Sequence, residues 1–402
     1  EMANFRTDGA VELYHNNVMK LQTSAAGLSL GSSGVNTTIL TNSAGTSNLT
    51  LGANAGNSIA SGGNYNVTIG DEAGTAITTG DGNVAVGYAA LDANTTASNN
   101  TALGYAALGA NTEGTANIAV GYAALDANTT ANNNLAIGHN ALGATTTGGT
   151  NVAVGGYSSD ANTTGTGNTA LGYNSLSGNT TASNNVAVGL NALAVNTTAS
   201  NNVAVGYAAL DANTTGASNV ALGSNALGVA TTASGNTAVG INTGDAITTG
   251  YHNVALGGFA LSTNISGAQN VAVGYEALFN NTASNNTAVG HDAAKDNTSG
   301  VGITAVGYRA LTANTTGTQN TAVGINALDS NIDGVNNTAV GSAALGVNTS
   351  GSHNASFGMN TLDANTTGSY NIAVGMAALG SNTTAGSNIA VGYNSLATNT
   401  TG

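Results

Sequence analysis

Residues 83–99 read Asn-Val-Ala-Val-Gly-Tyr-Ala-Ala-Leu-Asp-Ala-Asn-Thr-Thr-Ala-Ser-Asn, and this phrase of 17 residues recurs along most of the chain. We number its positions from 1 to 17, with position 1 at Asn83. Position 1 returns every 17 residues from Asn66 to Asn388, with a single step of 16 that ends at Asn286 and a single substitution, Ile303. A period kept this strictly indicates that each unit sits on the previous one in the same way.

The composition differs from that of an ordinary globular domain. Only 5% of the 402 residues are charged, against about 25% in typical domains. There is no Cys, which excludes a disulfide framework. The net charge of −14 argues against a nucleic-acid partner, and no apolar run is long enough to predict membrane insertion. Fixed apolar positions in every unit oppose the disorder that so few charges and aromatics would otherwise suggest.

Each unit predicts two short extended pieces and two turns. Val84 and Val86 alternate with Ala85, which is typical of a strand. The Gly at position 5 recurs in every unit, so it indicates a positive φ or a close backbone approach. Residues 88–91 are predicted to be a second extended piece, and residues 92–99 a turn. The positions expected to specify the coil are Ala85, Val86, Gly87, Leu91, Gly104, Leu108, Gly121, Leu125, Gly206 and Leu210.

These features predict an all-β fold, a parallel β-solenoid or β-roll with coils of 17 residues. A helix is excluded because Gly and Asn-Thr-Thr interrupt every stretch before two turns could form. The short unit is predicted to lose its residue within 278–282, in a turn, because a deletion in a strand would reverse the facing of its side chains.

Three segments are predicted along the chain. Residues 1–30 alternate apolar and polar residues on both sides of Asn16-Asn17, which predicts a hairpin for attachment or capping. Residues 31–65 form an irregular entry to the solenoid, and residues 66–402 form the regular shaft. Both ends are expected to be cuts in a longer protein.

Position 3 leads to a prediction about assembly. It is Ala in nearly all units and faces opposite to Val84 and Val86, so we expect Ala85 and its equivalents to point out of the coil. A small residue required on an outward face indicates close packing against another molecule. The sequence therefore predicts a homotrimer around a shared axis.

The repeat Asn-Thr-Ala-Val-Gly-x-x-Ala-Leu with Asn-Thr-Thr-Gly spacers, over residues 66–402, resembles the arrays of bacteriophage tail-fibre proteins and related bacterial surface proteins. More loosely, it is similar to the head repeats of trimeric autotransporter adhesins, which form left-handed parallel β-rolls in trimers. Residues 8–17 resemble a segment that precedes such shafts in fibres of marine phages. The resemblance implies fibre or baseplate partners at the N-terminus, and a host cell-surface glycan or protein bound through a tip outside this chain.

No catalytic set, cofactor site or metal site is discernible in the sequence, and we do not expect an enzyme. The His residues lie mostly on separate units and lack a metal-binding spacing, so exposed turn residues are favoured over metal ligands. The Asp residues at position 10 are expected to serve turns, because the glycine-rich calcium-binding pattern is absent. The His residues are His15, His139, His252, His291 and His353, and the Asp residues are Asp92, Asp126, Asp160, Asp211, Asp329 and Asp363.

Tyr is frequent at position 6, where a row of rings could bind a glycan. Leu190, Ile241 and Met376 occupy the same position, however, which favours a packing role. The Tyr residues concerned are Tyr88, Tyr105, Tyr122, Tyr173, Tyr207, Tyr275, Tyr308 and Tyr393.

The function expected from sequence and resemblance is the extracellular shaft of a bacteriophage tail fibre, which spaces a receptor-binding tip from the virion for host attachment. The alternative is a bacterial surface adhesin or an extracellular filament of β-roll repeats. An ice-binding solenoid fits less well, because the Thr residues of each unit are adjacent and do not form a Thr-x-Thr array.

Overall fold

The computed structural model describes residues 3–5, 11–15, 18–24, 27–30, 37–40 and 44–400. Every regular element in these residues is a β-strand, and the predicted parallel β-solenoid with 17-residue coils is confirmed over about 20 turns. The chain divides into two compact units, Glu1–Thr198 and Ala199–Gly402.

The first unit opens with antiparallel strands that pair in chain order. They are β1 (Ala3–Phe5), β2 (Val11–His15), β3 (Val18–Ser24), β4 (Gly27–Leu30) and β5 (Thr37–Leu40). Strands β2 and β3 are the two arms of the predicted hairpin, whose turn residues Asn16-Asn17 lie outside the described residues. Strand β6 (Leu49–Leu51) pairs antiparallel with β5 and parallel with the next strand, so the solenoid begins at β6.

From β6 onward each coil of the first unit contributes one three-residue strand, paired in parallel with its equivalents in the neighbouring coils. The register advances by one repeat at each pairing, as in Val84 with Thr101 and Ala85 with Ala102. The strands are β7 (Val67–Ile69), β8 (Val84–Val86), β9 (Thr101–Leu103), β10 (Ile118–Val120), β11 (Leu135–Ile137), β12 (Val152–Val154), β13 (Thr169–Leu171) and β14 (Val186–Val188).

The second unit consists of the same coils. Its strands are β15 (Val203–Val205), β16 (Val220–Leu222), β17 (Thr237–Val239), β18 (Val254–Leu256), β19 (Val271–Val273), β20 (Thr287–Val289), β21 (Thr304–Val306), β22 (Thr321–Val323), β23 (Thr338–Val340), β24 (Ala355–Phe357), β25 (Ile372–Val374) and β26 (Ile389–Val391). Strand β19 pairs with β20 across the 16-residue step in unbroken register.

The predicted second extended piece of each coil is wrong. Residues 88–91 form consecutive turns in which Ala89 and Leu91 adopt φ of 51° and 55°. These turns still hydrogen-bond from coil to coil, since Ala89 N–H donates to Asp71 O at 3.1 Å and Leu91 N–H donates to Ala107 O at 3.0 Å. The left-handed conformation carries a steric cost for L-residues, which the burial of Leu91 and these hydrogen bonds offset.

The facing predicted for the strand is also wrong. Ala85 is fully buried, whereas Val84 and Val86 lie half-exposed on the outside of the coil. The interior is filled by small side chains at positions 3 and 8 and one Leu at position 9, as in Ala90 and Leu91. Ala is required at position 3 because the interior of the coil is narrow, and the Ala column therefore gives no information about a neighbouring chain.

The Gly at position 5 is the bend at which the strand ends. Gly87 has φ +130°, and a Cβ there would lie 2.5 Å from Gly104 O in the next coil. The sequence indicated a positive φ or a close approach, and the structure shows both.

Interruptions of the Leu column show how the core tolerates change. Where position 9 is Gly, as at Gly74 and Gly244, an Ile at position 12 fills the space: Ile77 and Ile247 are buried. Ser159 has no such compensation. Its hydroxyl is buried without a hydrogen-bond partner in the described part of the chain.

The one-residue deletion lies in a turn, as predicted, but directly after Thr282. The Asn281 side chain reaches the carbonyl two residues on, Ala283 O at 2.8 Å, whereas Asn264 in the preceding coil reaches three residues on to Gly267 O. The missing residue therefore corresponds to position 14, on the outside of the turn.

We expect Gly87→Ala to destabilise the first unit by about 2–5 kcal/mol, because the new methyl group must overlap the carbonyl of Gly104 in a conformation that only Gly adopts readily. The matched control is Gly109→Ala, where the nearest atom to a Cβ is Ala106 O at 3.3 Å and where other coils carry Asp. Chemical denaturation followed by circular dichroism measures both. Equal effects of the two substitutions would contradict the proposed role of position 5.

Candidate functional surfaces

The positions expected to specify the coil fall into three structural groups. Ala85 and the Leu residues at position 9 (Leu91, Leu108, Leu125 and Leu210) are fully buried in their coils. The Gly residues at position 5 (Gly87, Gly104, Gly121 and Gly206) have φ between +130° and +139° and form the bend. Val86 lies on the outside, so it contributes to a surface of the coil.

Two columns of buried Asn hold successive coils together. At position 1, the side-chain oxygen of Asn117 accepts a hydrogen bond from the backbone N–H of Asn134 in the next coil at 2.9 Å, and its Nδ2 donates to Ala131 O at 2.8 Å. At position 12, Asn128 Nδ2 donates to Asn111 Oδ1 in the preceding coil at 2.7 Å. Sequence reasoning assigned the Asn-rich segment to local turns and missed both columns, although the invariance of Asn in a nearly uncharged repeat is a signal for them.

Ile303 interrupts the column at position 1. Its backbone N–H still donates to Asn286 Oδ1 at 3.1 Å, but its side chain offers no oxygen to Asn320 in the following coil. The second column continues past this point, with Asn314 Nδ2 donating to Asn297 Oδ1 at 2.7 Å. The position-12 column therefore keeps adjacent coils joined where the position-1 column is broken.

The outer face of the strands is apolar. In the first unit, Leu103, Ile118 and Ile137 expose 46%, 43% and 38% of their surface. Positions 2 and 4 of neighbouring coils lie side by side through the parallel pairing, so these side chains form one continuous face, which we call the outer strand face. A surface of this kind is unusual on a monomeric protein.

Beyond the bend at position 5, exposed aromatic rings form a row on the first unit, which we call the aromatic row. Tyr88, Tyr105, Tyr122 and His139 stack on one another, with ring centroids 5.1 to 5.2 Å apart. Tyr157 and Tyr173 continue the row with tilted rings. The Tyr side chains therefore pack on each other at the surface and not in the core. A hydrogen bond with Glu72 at the start of the row raises the pKa of the Tyr88 phenol.

The second unit has a shorter aromatic group mixed with charges. Tyr275 stacks on His291 at 5.2 Å, and Phe259 meets Tyr275 edge-on. Lys295 pairs with Glu276, and this ion pair lowers the pKa of the Glu276 carboxyl. One turn further along the repeat, Arg309 pairs with Asp329 at 3.3 Å.

The Asp residues at position 10 are half-buried on the turns. Desolvation raises the pKa of their carboxyls, as at Asp92, Asp126 and Asp160 in the first unit and at Asp211 and Asp363 in the second. Asp329 differs because it pairs with Arg309. Burial of these acids costs stability when they are ionised, so they are a potential source of pH dependence.

Within the described residues, no three His, Asp or Glu side chains come together in a way that could hold a metal ion. His139 and His291 belong to the aromatic groups of the two units, and His353 stacks on Tyr370. No helix that could cross a membrane occurs in the same part of the chain. The chemistry that the described surface offers is hydrogen bonding and apolar or aromatic contact.

Neither a protein-family model nor a curated protein sequence matches the chain.

We expect Asn117→Ala to destabilise the first unit by about 2–4 kcal/mol, because the N–H of Asn134 loses its partner inside the coil and a cavity replaces the amide. Thr130→Ala, on the exposed side of the adjacent turn, is the control and should change stability by less than about 0.5 kcal/mol. Hydrogen exchange should show the loss of protection concentrated in the coils next to residue 117. A uniform loss along the unit, or none, would contradict the role assigned to the column.

We expect Asp126→Asn to stabilise the protein at neutral pH and to lose this advantage in acid. Because burial raises the pKa of Asp126 in the folded state, its favourable contribution is complete below the unfolded pKa of about 3.9 and disappears as the pH rises through the folded pKa. The measurement is the difference in thermal unfolding between the variant and the parent from pH 3 to pH 8. The exposed substitution Glu113→Gln serves as the control, and an advantage of Asp126→Asn that persisted at the lowest pH would refute the explanation.

Proposed function

We propose that this chain is a structural segment of a fibre shaft, of the kind found in bacteriophage tail fibres, which spaces a receptor-binding tip from the virion. The observation that supports it best is the strand register, which advances by one repeat per coil on both sides of the shortened coil. Coils that stack at about 4.8 Å each add length to a unit without creating a pocket. The phage assignment itself comes from the resemblance of the repeat and its leader.

We further propose that the shaft is a homotrimer and that the outer strand face is its contact surface. Full burial of an aliphatic side chain contributes about 1.5–3 kcal/mol at about 25 cal/mol per Å², which corresponds to roughly 60–120 Å² of apolar area. About 40% of this area is left exposed on fourteen side chains at positions 2 and 4 of β7–β14, or roughly 300–700 Å² in the first unit. This value reaches the upper range for apolar patches on monomers and approaches the ~800 Å² per partner of a standard interface. The number three rests on the resemblance to trimeric β-rolls.

Light scattering tests the assembly. The 402-residue chain should have three times the 38.6 kDa mass of one copy. Leu103→Asp combined with Ile137→Asp should reduce the mass to that of one copy, because charges on the outer strand face cannot be buried unpaired. Thr130→Asp is the control on an exposed turn. A stable monomer of the parent chain would refute the trimer.

Electron microscopy with antibodies against residues 83–198 tests the placement. Labelled fibres on virions are expected if the chain belongs to a tail fibre. Labelling of cell surfaces or of cellular filaments alone would overturn this assignment in favour of the bacterial adhesin or filament.

A further inference from the structure

We propose that the aromatic row of the first unit is a binding strip for an extended, uncharged polysaccharide chain. The proposal goes beyond a spacing role, because it gives the side of the coils a ligand of its own. It does not depend on whether the chain belongs to a phage.

The rings in the row are available to a ligand. Although Tyr105 has a ring stacked on each side, it is 50% exposed, and Tyr122 is 53% exposed. Their centroid separation of 5.2 Å is larger than the ~3.5–4.0 Å between atoms in contact, so near-parallel rings must overlap with an offset. Each ring therefore leaves part of a face and its outer edge in solvent.

The shape of the row fits a linear polymer. It is one ring wide, and the residues at position 7 beside the first rings are small, as in Ala89 and Ala106. One ring is presented per coil, at intervals of about 4.8 Å. The advance per sugar in an extended β-linked hexose chain is close to this interval, so successive sugars can meet successive rings. The apolar C–H faces of pyranoses stack on aromatic rings, and their hydroxyls can hydrogen-bond to phenol groups.

Charge decides the class of polysaccharide. The sequence from residue 44 to residue 198 contains no Lys or Arg, whereas Asp71 and Glu72 lie on the turn at the start of the row. Sulfated glycans and polyuronates would meet negative charge without a cationic partner. A neutral chain meets neither repulsion nor the cost of desolvating a charge.

The aromatic group of the second unit is a weaker candidate. Phe259 meets Tyr275 edge-on, and the ion pair of Lys295 with Glu276 lies beside the rings. No run of four near-parallel rings occurs in the described residues of that unit. We therefore assign the strip to the first unit alone.

Isothermal titration calorimetry of the 402-residue chain tests the proposal, with cellohexaose, mannohexaose, maltohexaose and dextran as neutral probes and with heparin and polygalacturonate as charged ones. At least one neutral probe should bind, and neither charged probe should. Because the chain contains no Trp, quenching of Tyr fluorescence provides a second readout. Failure of all four neutral probes to bind, or tighter binding of a charged one, would overturn the proposal.

The discriminating variant is Tyr105→Leu combined with Tyr122→Leu, since Leu190 shows that position 6 accepts Leu. It should weaken binding by about tenfold or more, because two stacking contacts are lost. The control is Tyr207→Leu, an equally exposed ring in the second unit, which should leave binding unchanged. Unchanged binding by the double variant would refute the strip. Loss of the assembled mass in the double variant would instead assign the row to a contact between copies.

Discussion

The hydrogen bonds that each coil makes to the next are the interaction on which the rest of this structure depends. A single coil has one three-residue strand, one Leu and a few Ala residues, which is too little apolar surface to order it alone. Its backbone groups find partners only in the coils on either side. The buried Asn columns extend this pairing into the turns, where no strand ladder exists. Stability is therefore shared between neighbouring coils and is not a property of any one of them.

The same constraint explains the unusual composition. Only small side chains and one Leu per coil fit inside, so the buried polar groups have to be compact and uncharged. Asn meets this requirement because its amide donates and accepts at the same time. Gly at position 5 follows from the close approach of neighbouring bends. What remains free to vary lies outside, and there the two units differ: the first has a row of rings, and the second has ion pairs among its rings.

The errors of the sequence interpretation have a common origin. In a globular domain the larger apolar residues of a strand face inward, so alternation of Val84 and Val86 with Ala85 was interpreted with Val inside. The coil is too narrow for this arrangement, and Ala85 is buried instead. The self-association proposal remains, but it now rests on the exposed aliphatic face and not on an outward Ala. In the same way, Leu91 suggested an extended piece because burial was recognised and its left-handed backbone was not.

The sequence by itself determined the fold class, the coil length, the place of the bend at position 5 and the location of the shortened coil in a turn, because all of these follow from a period and from residues with few backbone options. It could not determine which face of the strand is inside, because a two-residue alternation defines two faces but does not say how much room lies behind each one. It also could not reveal that Asn117 and Asn128 are buried and bonded between coils, or that Tyr105 and Tyr122 touch. Those contacts join residues of different coils, and only the tertiary stacking brings them within bonding distance.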